Sequence, residues 1–330
     1  MDPGELLKRF REDGCSEDDA RTINQRLLTT TGTITENNIP DDVTYATHSN
    51  MTRAAINEGL FCKALERIGH KDKRTRPPLQ AICIKGSNIR FGRRVRKEDK
   101  TKFEYATEEK QIMLNIVHAF CGEGHCKDGE NKNVSPMLKL YYGCDVMLTD
   151  NQDVENNLAN GTVGKFVGIK LVENISVDDL DIIEINGYLV HCVEAKDVHR
   201  LLLQLQEPME KIIEIKCEER TVTVQFPDVT IEKNNGDYMR LKRKMKLLQF
   251  PVNLAMARTT HKLQGKSLDG VVVAEWSYES NWAYVVLSRV RSIDGLFLRR
   301  KLEQSNIMPM SAELREFLRL CRQKIPIEEE

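Results

Sequence analysis

The chain reads as an α/β domain interrupted by a small β-barrel inserted at roughly residues 150–248. Helix-periodic and strand-like runs alternate up to about residue 143, and the same rhythm returns after Pro251. Between them lie short strand-like runs punctuated by Asn160-Gly161, Asn186-Gly187 and Asn235-Gly236, dipeptides that favour the left-handed backbone of tight hairpins. No internal repeat is found. A length of 330 residues accommodates two ordinary domains, or one domain with a large insertion.

Asp2-Pro3 opens a short helix with Leu6, Leu7 and Phe10 on one side, since proline suits a first helical turn. Ser16 caps a second, with Asp19 three residues on and Ala20, Ile23 and Leu27 at 3/4 spacing. Val43 to Thr47 reads as a strand leading through Asn50 into a helix that bears Ile56, Leu60, Phe61, Ala64, Leu65 and Ile68. A basic loop ending in Pro77-Pro78 precedes a strand from Leu79 to Ile84. A second basic stretch, Arg90 to Lys97, follows, and then Thr107 caps a helix with Ile112, Met113, Ile116, Val117 and Phe120 on one face.

Residues 121–135 read as a polar loop. The strand-like runs of the insertion are Thr162 to Leu171, Asp181 to Val190, Ile212 to Cys217 and Thr221 to Phe226, a spacing that suggests a small barrel. Beyond Pro251, strands are expected at Val252 to Ala257, Gly270 to Glu275 and Leu296 to Leu298. Ser311 begins a final helix with Leu314, Phe317, Leu318 and Cys321.

Composition narrows the class. Hydrophobic residues at 40% and charged residues at 30% permit a sizeable core. Forty-nine Lys and Arg against 50 Asp and Glu leave a formal charge of −1, which argues against a tail-driven nucleic-acid binder but not against a motor with one basic groove. Nine cysteines, odd in number and without a C-x-x-C pair, point to free thiols in a reducing compartment. No apolar run is long enough to span a membrane, and the N-terminus lacks an apolar signal core.

Chemistry concentrates in two runs. In ARTTHKLQGKSLDG, Ala257 to Gly270, a loop follows a buried-looking strand, and the carboxyl ends of parallel strands are where α/β folds place functional loops. Thr259, His261 and Lys262 offer a hydroxyl, a ring N–H and a cation suited to phosphate oxygens of a nucleic-acid strand. Gln264 and Gly265 offer an amide and an unshielded backbone N–H suited to a nucleotide phosphate. A loop of this composition taken alone is as readily an ordinary surface loop. Gly265-Lys266-Ser267 mimics the end of a P-loop, but that pattern needs a glycine where Thr260 stands.

The second run is WAYVVLSRVRSIDGLFL, Trp282 to Leu298. Its strand-like apolar stretch delivers Ser288, Arg289 and Arg291. An arginine so placed can neutralise charge on a transferring phosphoryl group, a contribution of about three to five orders of magnitude in rate. The commoner fate of such an arginine is a surface ion pair.

These runs, in this order, resemble motifs V and VI of superfamily-one helicases of the five-prime-to-three-prime branch, above all the petite-integration-frequency DNA helicases and the Helitron transposon helicases. GCDVMLTDNQDVENNLANGTVG at 143–164 resembles the family's lead into its inserted barrel, and QFPVNLAMA at 249–257 the strand before motif V. ATHSNMTRAAIN at 46–57 resembles motif IV, with Asn50 and Asn57 in the family's asparagine places, and the opening two helices resemble those after motif III. Thr260 stands for a usual Ile or Val, Leu263 for a usual small polar residue and Val286 for a usual Ala.

The resemblance implies a RecA-like (P-loop NTPase-type) parallel-sheet domain at 1–145 and 249–330, with a Src-homology-3-like barrel at 146–248. Thr259, His261 and Lys262 would touch single-stranded DNA, and Asn50 would sit near the incoming strand. Gln264 and Gly265 would face ATP phosphates, and Arg289 would be the arginine finger. The family's Walker A and B residues have no counterpart here, since no GxxxxGK[ST] occurs. ATP and Mg²⁺ are therefore expected on a separate N-terminal motor domain, and this chain alone is expected to be inactive and monomeric. The family's work in DNA replication, repair, recombination and telomere maintenance, in nucleus or mitochondrion, is implied without a choice among them. A truncated or transposon-derived relic that only binds DNA or docks a protein is the rival.

Other clusters point elsewhere. His118, Cys121, His125 and Cys126 match no familiar zinc spacing, so no metal is expected. Lys242 to Lys246 is basic enough to line a DNA path. Trp276 and Trp282 could stack on bases, although beside strands they are more often core.

Overall fold

The computed structural model describes every residue except 1–2, 13, 92–93, 96–101, 120–134, 154, 156–157, 206–210, 233–237, 280, 308–310 and 325–330. The chain forms two compact units, one of Met1–Arg53 with Ala257–Glu330, the other Ala54–Met256. Residues 54–145, grouped by the sequence reading with the first domain, thus pack with the second unit. No helix among the described residues is long and apolar enough to cross a membrane.

The first unit holds a four-stranded sheet in the order Ala257–Thr259, Thr44–Thr47, Val271–Val273, Leu296–Leu298. All three pairings are parallel. Parallel strands are covered on both faces, which is why these read as unbroken apolar runs rather than alternating ones. One face, Ala46, Val271, Val273, Leu296 and Leu298, packs with Leu6, Phe10, Ile23, Trp282, Val286 and Leu287. Those residues come from helices Pro3–Glu12, Glu17–Asn24 and Trp282–Leu287.

The Ser16 signal is realised as a reciprocal capping box, in which Asp19 N donates to Ser16 Oγ at 3.1 Å and Ser16 N to Asp19 Oδ2 at 3.4 Å. Arg9 Nη2 donates to Asp19 Oδ1 at 2.6 Å, and this pairing holds the Asp19 carboxyl below its ordinary pKa. Gly295 is required by close approach, because a Cβ there would lie 1.9 Å from the Asp269 carbonyl oxygen.

Helix Asn50–Ile68 begins in the first unit and continues into the second, where Phe61 and Leu65 pack on Ala81, Cys83, Met137, Val190 and Cys192. Ile112, expected on the buried face of helix Thr107–Ala119, is exposed, whereas Met113 is fully buried. The second unit contains an antiparallel sheet in the order 211–215, 198–205, 163–171, 145–148, 252–254. Among the described residues no ladder joins its two edge strands. Asn186 and Gly187, with φ of 51° and 79°, make the hairpin between 181–185 and 188–194. Asn235-Gly236 lies outside the described residues, between paired strands 218–232 and 238–249. The six described cysteines, Cys15, Cys62, Cys83, Cys144, Cys192 and Cys217, are free thiols.

Two further expectations change. The run Val252 to Ala257 is not one strand: Val252–Leu254 closes the antiparallel sheet against 145–148, and Ala257–Thr259 starts the parallel one. The stretch before Ser288 is a helix, Trp282–Leu287, not a strand. Its Trp282, Ala283, Val286 and Leu287 are buried, and a run this short and apolar carries no periodicity that separates helix from strand.

Candidate nucleic-acid and phosphate interface

The loops that leave the carboxyl ends of neighbouring parallel strands carry most of the expected site residues. Thr47 and Thr259 are register partners at the ends of their strands, and Thr47 Oγ1 donates to Arg258 O at 3.3 Å. Asn50 therefore starts its helix three residues past one strand end, and Thr259 closes the other. A single 3₁₀ turn, Thr260–Lys262, follows Thr259, with His261 exposed and Lys262 half-buried. Lys266 N donates to Leu263 O at 3.2 Å, and this turn leaves Gln264 and Gly265 exposed. Gly265 has φ +74°, the left-handed region where a side chain is strained, with open space around it.

The two family departures in this loop now have a physical role. Leu263 is fully buried in the core beneath it. Thr260 is buried too, and its Oγ1 has no hydrogen-bond partner, so the position behaves as an apolar one carrying an unsatisfied hydroxyl.

Arg289 follows the short helix and is joined to the same loop. Leu268 N donates to Arg289 O at 2.8 Å and Arg291 N to Leu268 O at 3.0 Å, so that Leu268 and Val290 form a parallel bridge. The Arg289 guanidinium donates to Val285 O at 3.0 Å, Lys266 O at 3.4 Å and Ser288 Oγ at 2.8 Å. All three acceptors are neutral, so its charge is oriented and, among the described residues, no carboxylate cancels it. Arg291 instead pairs with Asp269 at 2.6 Å, both well exposed, a contact worth little to stability. The structure thus brings Thr259, His261, Lys262, Gln264, Gly265 and Arg289 onto one connected piece, with Asn50 at the adjacent strand end.

Sequence reasoning missed the group that holds the Asn50 turn. Glu275 Oε1 accepts from His48 N at 2.9 Å and Ser49 N at 2.8 Å, and Oε2 accepts from Thr52 Oγ1 at 2.9 Å. These donors outweigh partial burial and keep the carboxyl below its ordinary pKa. Thr52 N also donates to Ser49 Oγ at 3.0 Å, an N-terminal cap that the Ser-x-x-Thr spacing carried. Glu275 itself read as the end of a strand. Asn57 is elsewhere, its Nδ2 donating to Leu254 O at 3.1 Å in the second unit.

Trp282 is core, and half-buried Trp276 donates its Nε1 to Arg300 O at 2.9 Å. Arg243 and Lys246 of the basic run are engaged by Glu109 and Glu219. Cys121, His125 and Cys126 and the side chain of His118 lie outside the described residues. Among those described, no group of His, Cys, Asp and Glu is poised to hold a metal.

No family model matches the chain. It is 31% identical over 236 residues to the ATP-dependent DNA helicase PIF1 of Xenopus laevis, spanning 70% of this chain and 29% of that protein. It is 29% identical over 182 residues to the ATP-dependent DNA helicase PIF3 of Trypanosoma brucei brucei, spanning 54% and 20%. A crystal structure of Pif1 helicase from Candida albicans superimposes with a TM-score of 0.50 at 17% identity, over 98% of this chain and 58% of that one. A structure of two coordinating Pif1 helicases at forked double-stranded DNA gives the same TM-score at 14% identity, over 98% and 52%. The chain thus spans under a third of these curated relatives and little more than half of these solved chains. The fold is α/β and RecA-like.

Proposed function

We propose that this chain, which belongs to the Pif1-type superfamily-one helicases, supplies the second motor domain of an ATP-driven five-prime-to-three-prime DNA helicase. One observation carries the reading: the backbone pairing of Leu268 with Arg289 and Arg291 makes the candidate strand-gripping loop and the candidate phosphate-sensing arginine a single mechanical piece. In this reading Thr259, His261 and Lys262 hold phosphates of single-stranded DNA, and Asn50 meets the strand at the neighbouring strand end. Residues 146–248 form the inserted Src-homology-3-like barrel.

The later residues of the loop suit an anionic nucleotide. Gly265 leaves room for close backbone approach, Gln264 is exposed, and the uncancelled Arg289 charge is held by neutral acceptors. When bound, ATP supplies the phosphoryl transfer that drives translocation. What this chain's residues do is bind and orient: Gln264 and Gly265 face the phosphates, and Arg289 places positive charge where negative charge grows in the transition state. A rigid link between Arg289 and the loop lets the nucleotide state alter the grip of His261 and Lys262 on DNA. The phosphate cradle and the Mg²⁺ site belong to the N-terminal motor domain, so the isolated chain binds DNA without hydrolysing ATP.

The test is single-stranded DNA binding across a salt series, read by fluorescence anisotropy. The log of the binding constant should fall linearly with log salt. Replacing His261 and Lys262 together with Ala should weaken binding and reduce the slope by about 0.7 for every phosphate of the single strand no longer neutralised. Unchanged affinity and slope in that variant would defeat the assignment and favour a protein-docking relic. DNA-stimulated ATP hydrolysis by the purified chain would defeat the division of labour.

A further inference from the structure

A second kind of contact surface borders the Asn50 turn. Met51 is 72% exposed in the first turn of its helix, and Tyr278 is 63% exposed in the loop after strand Val271–Val273. Both large apolar side chains stand at the carboxyl end of the parallel sheet, where the candidate ligand loops also lie. No hydrogen bond or ring contact holds the Tyr278 phenol among the described residues. The segments that carry them are tied together: Glu275 accepts from His48, Ser49 and Thr52, and Glu279 Oε2 lies 3.9 Å from His48 Nδ1.

The charge of this surface decides what it receives. Glu275 and Glu279 place two carboxylates on the Tyr278 segment, against the turn that leads into Met51, and carboxylates disfavour a phosphate backbone, while His261 and Lys262 lie on the loop after Thr259. A flat phenol and a polarisable thioether suit the faces of nucleobases. We infer that Tyr278, assisted by Met51, is a base-stacking platform for the single strand, and that the strand lies with its phosphates toward His261 and Lys262 and its bases toward Tyr278. This rests on the reading of the Thr259–Lys262 loop as a DNA grip.

The experiment compares a short oligothymidylate with an abasic strand of the same length, both fluorescently labelled, on the full chain. Tyr278→Ala should weaken oligothymidylate binding on the order of ten-fold, leave abasic binding and the salt slope unchanged, and be rescued by Tyr278→Phe. Met51→Ala should weaken the same complex less. The His261→Ala, Lys262→Ala variant should bind both strands more weakly. If Tyr278→Ala binds oligothymidylate as wild type does while that double variant binds weakly, the platform is refuted and the phosphate grip stands. Equal weakening on the two strands also refutes stacking. If both variants bind as wild type does, the DNA reading fails and this inference with it.

Discussion

The two units of this chain use β-structure for different purposes. The first builds its sheet from four parallel strands of only three or four residues, whereas among the described residues the strands of the second reach 9, 12 and 15 residues and pair antiparallel except for one pair. A parallel strand must be followed by a crossover, so every loop leaving a carboxyl end emerges at the same sheet edge. That geometry gathers the Asn50 turn, the Thr259–Gly265 loop and the Tyr278 loop from distant parts of the sequence. Antiparallel neighbours need only a hairpin turn, and their side chains build a core. The lesson is that the smaller, shorter-stranded sheet carries the candidate chemistry and the larger sheets carry packing.

The sharpest way to break that division is to damage a core of the second unit. Leu201 is fully buried among Phe166, Leu203, Ile213 and Val252. Leu201→Ala should cost about 2–5 kcal/mol, read from the denaturant midpoint, with DNA affinity unchanged while the protein remains folded. A selective loss of DNA affinity without a stability change would overturn the comparison.

Gly295→Ala tests the first unit more narrowly. Its new Cβ would collide with the Asp269 carbonyl beside the Leu268–Arg289 pairing, and a cost of about 3 kcal/mol is expected. Here stability and DNA binding should fall together, because the strained backbone belongs to the candidate site. Affinity that survives intact would uncouple the pairing from the grip.

The smallest effect has the opposite sign. Thr260→Val keeps the shape of the side chain and removes a buried hydroxyl without a partner, so a gain of about 1 kcal/mol is expected in the thermal or denaturant midpoint. A loss would reveal that the hydroxyl is satisfied in solution.

Much of this was legible in the residues. The Ser16 cap needed only an Asp at the right interval, and the Asn186-Gly187 turn needed only two residues that tolerate positive φ. Local backbone chemistry decides such features, so the chain states them locally. The candidate site was half legible: His261, Lys262, Gln264 and Gly265 stand together in one run, and the family likeness implies roles for them. The helix before Ser288 was not legible, because six mostly apolar residues satisfy a strand as well as a helix. Glu275 was hidden for a different reason, since its partners His48, Ser49 and Thr52 lie more than two hundred residues away in sequence.

By itself, the sequence determined which residues carry charge, hydroxyls and turn chemistry, and that a parallel α/β rhythm surrounds a strand-rich segment. Only the tertiary structure decided that Val252 and Ala257 belong to different sheets, that Arg289 is held by three neutral oxygens, and that a distant carboxylate anchors the Asn50 turn. The reason is the range of the forces involved. Propensity and capping act within a turn or two of the chain, while strand pairing, burial and ion placement depend on segments that meet only once the chain has folded.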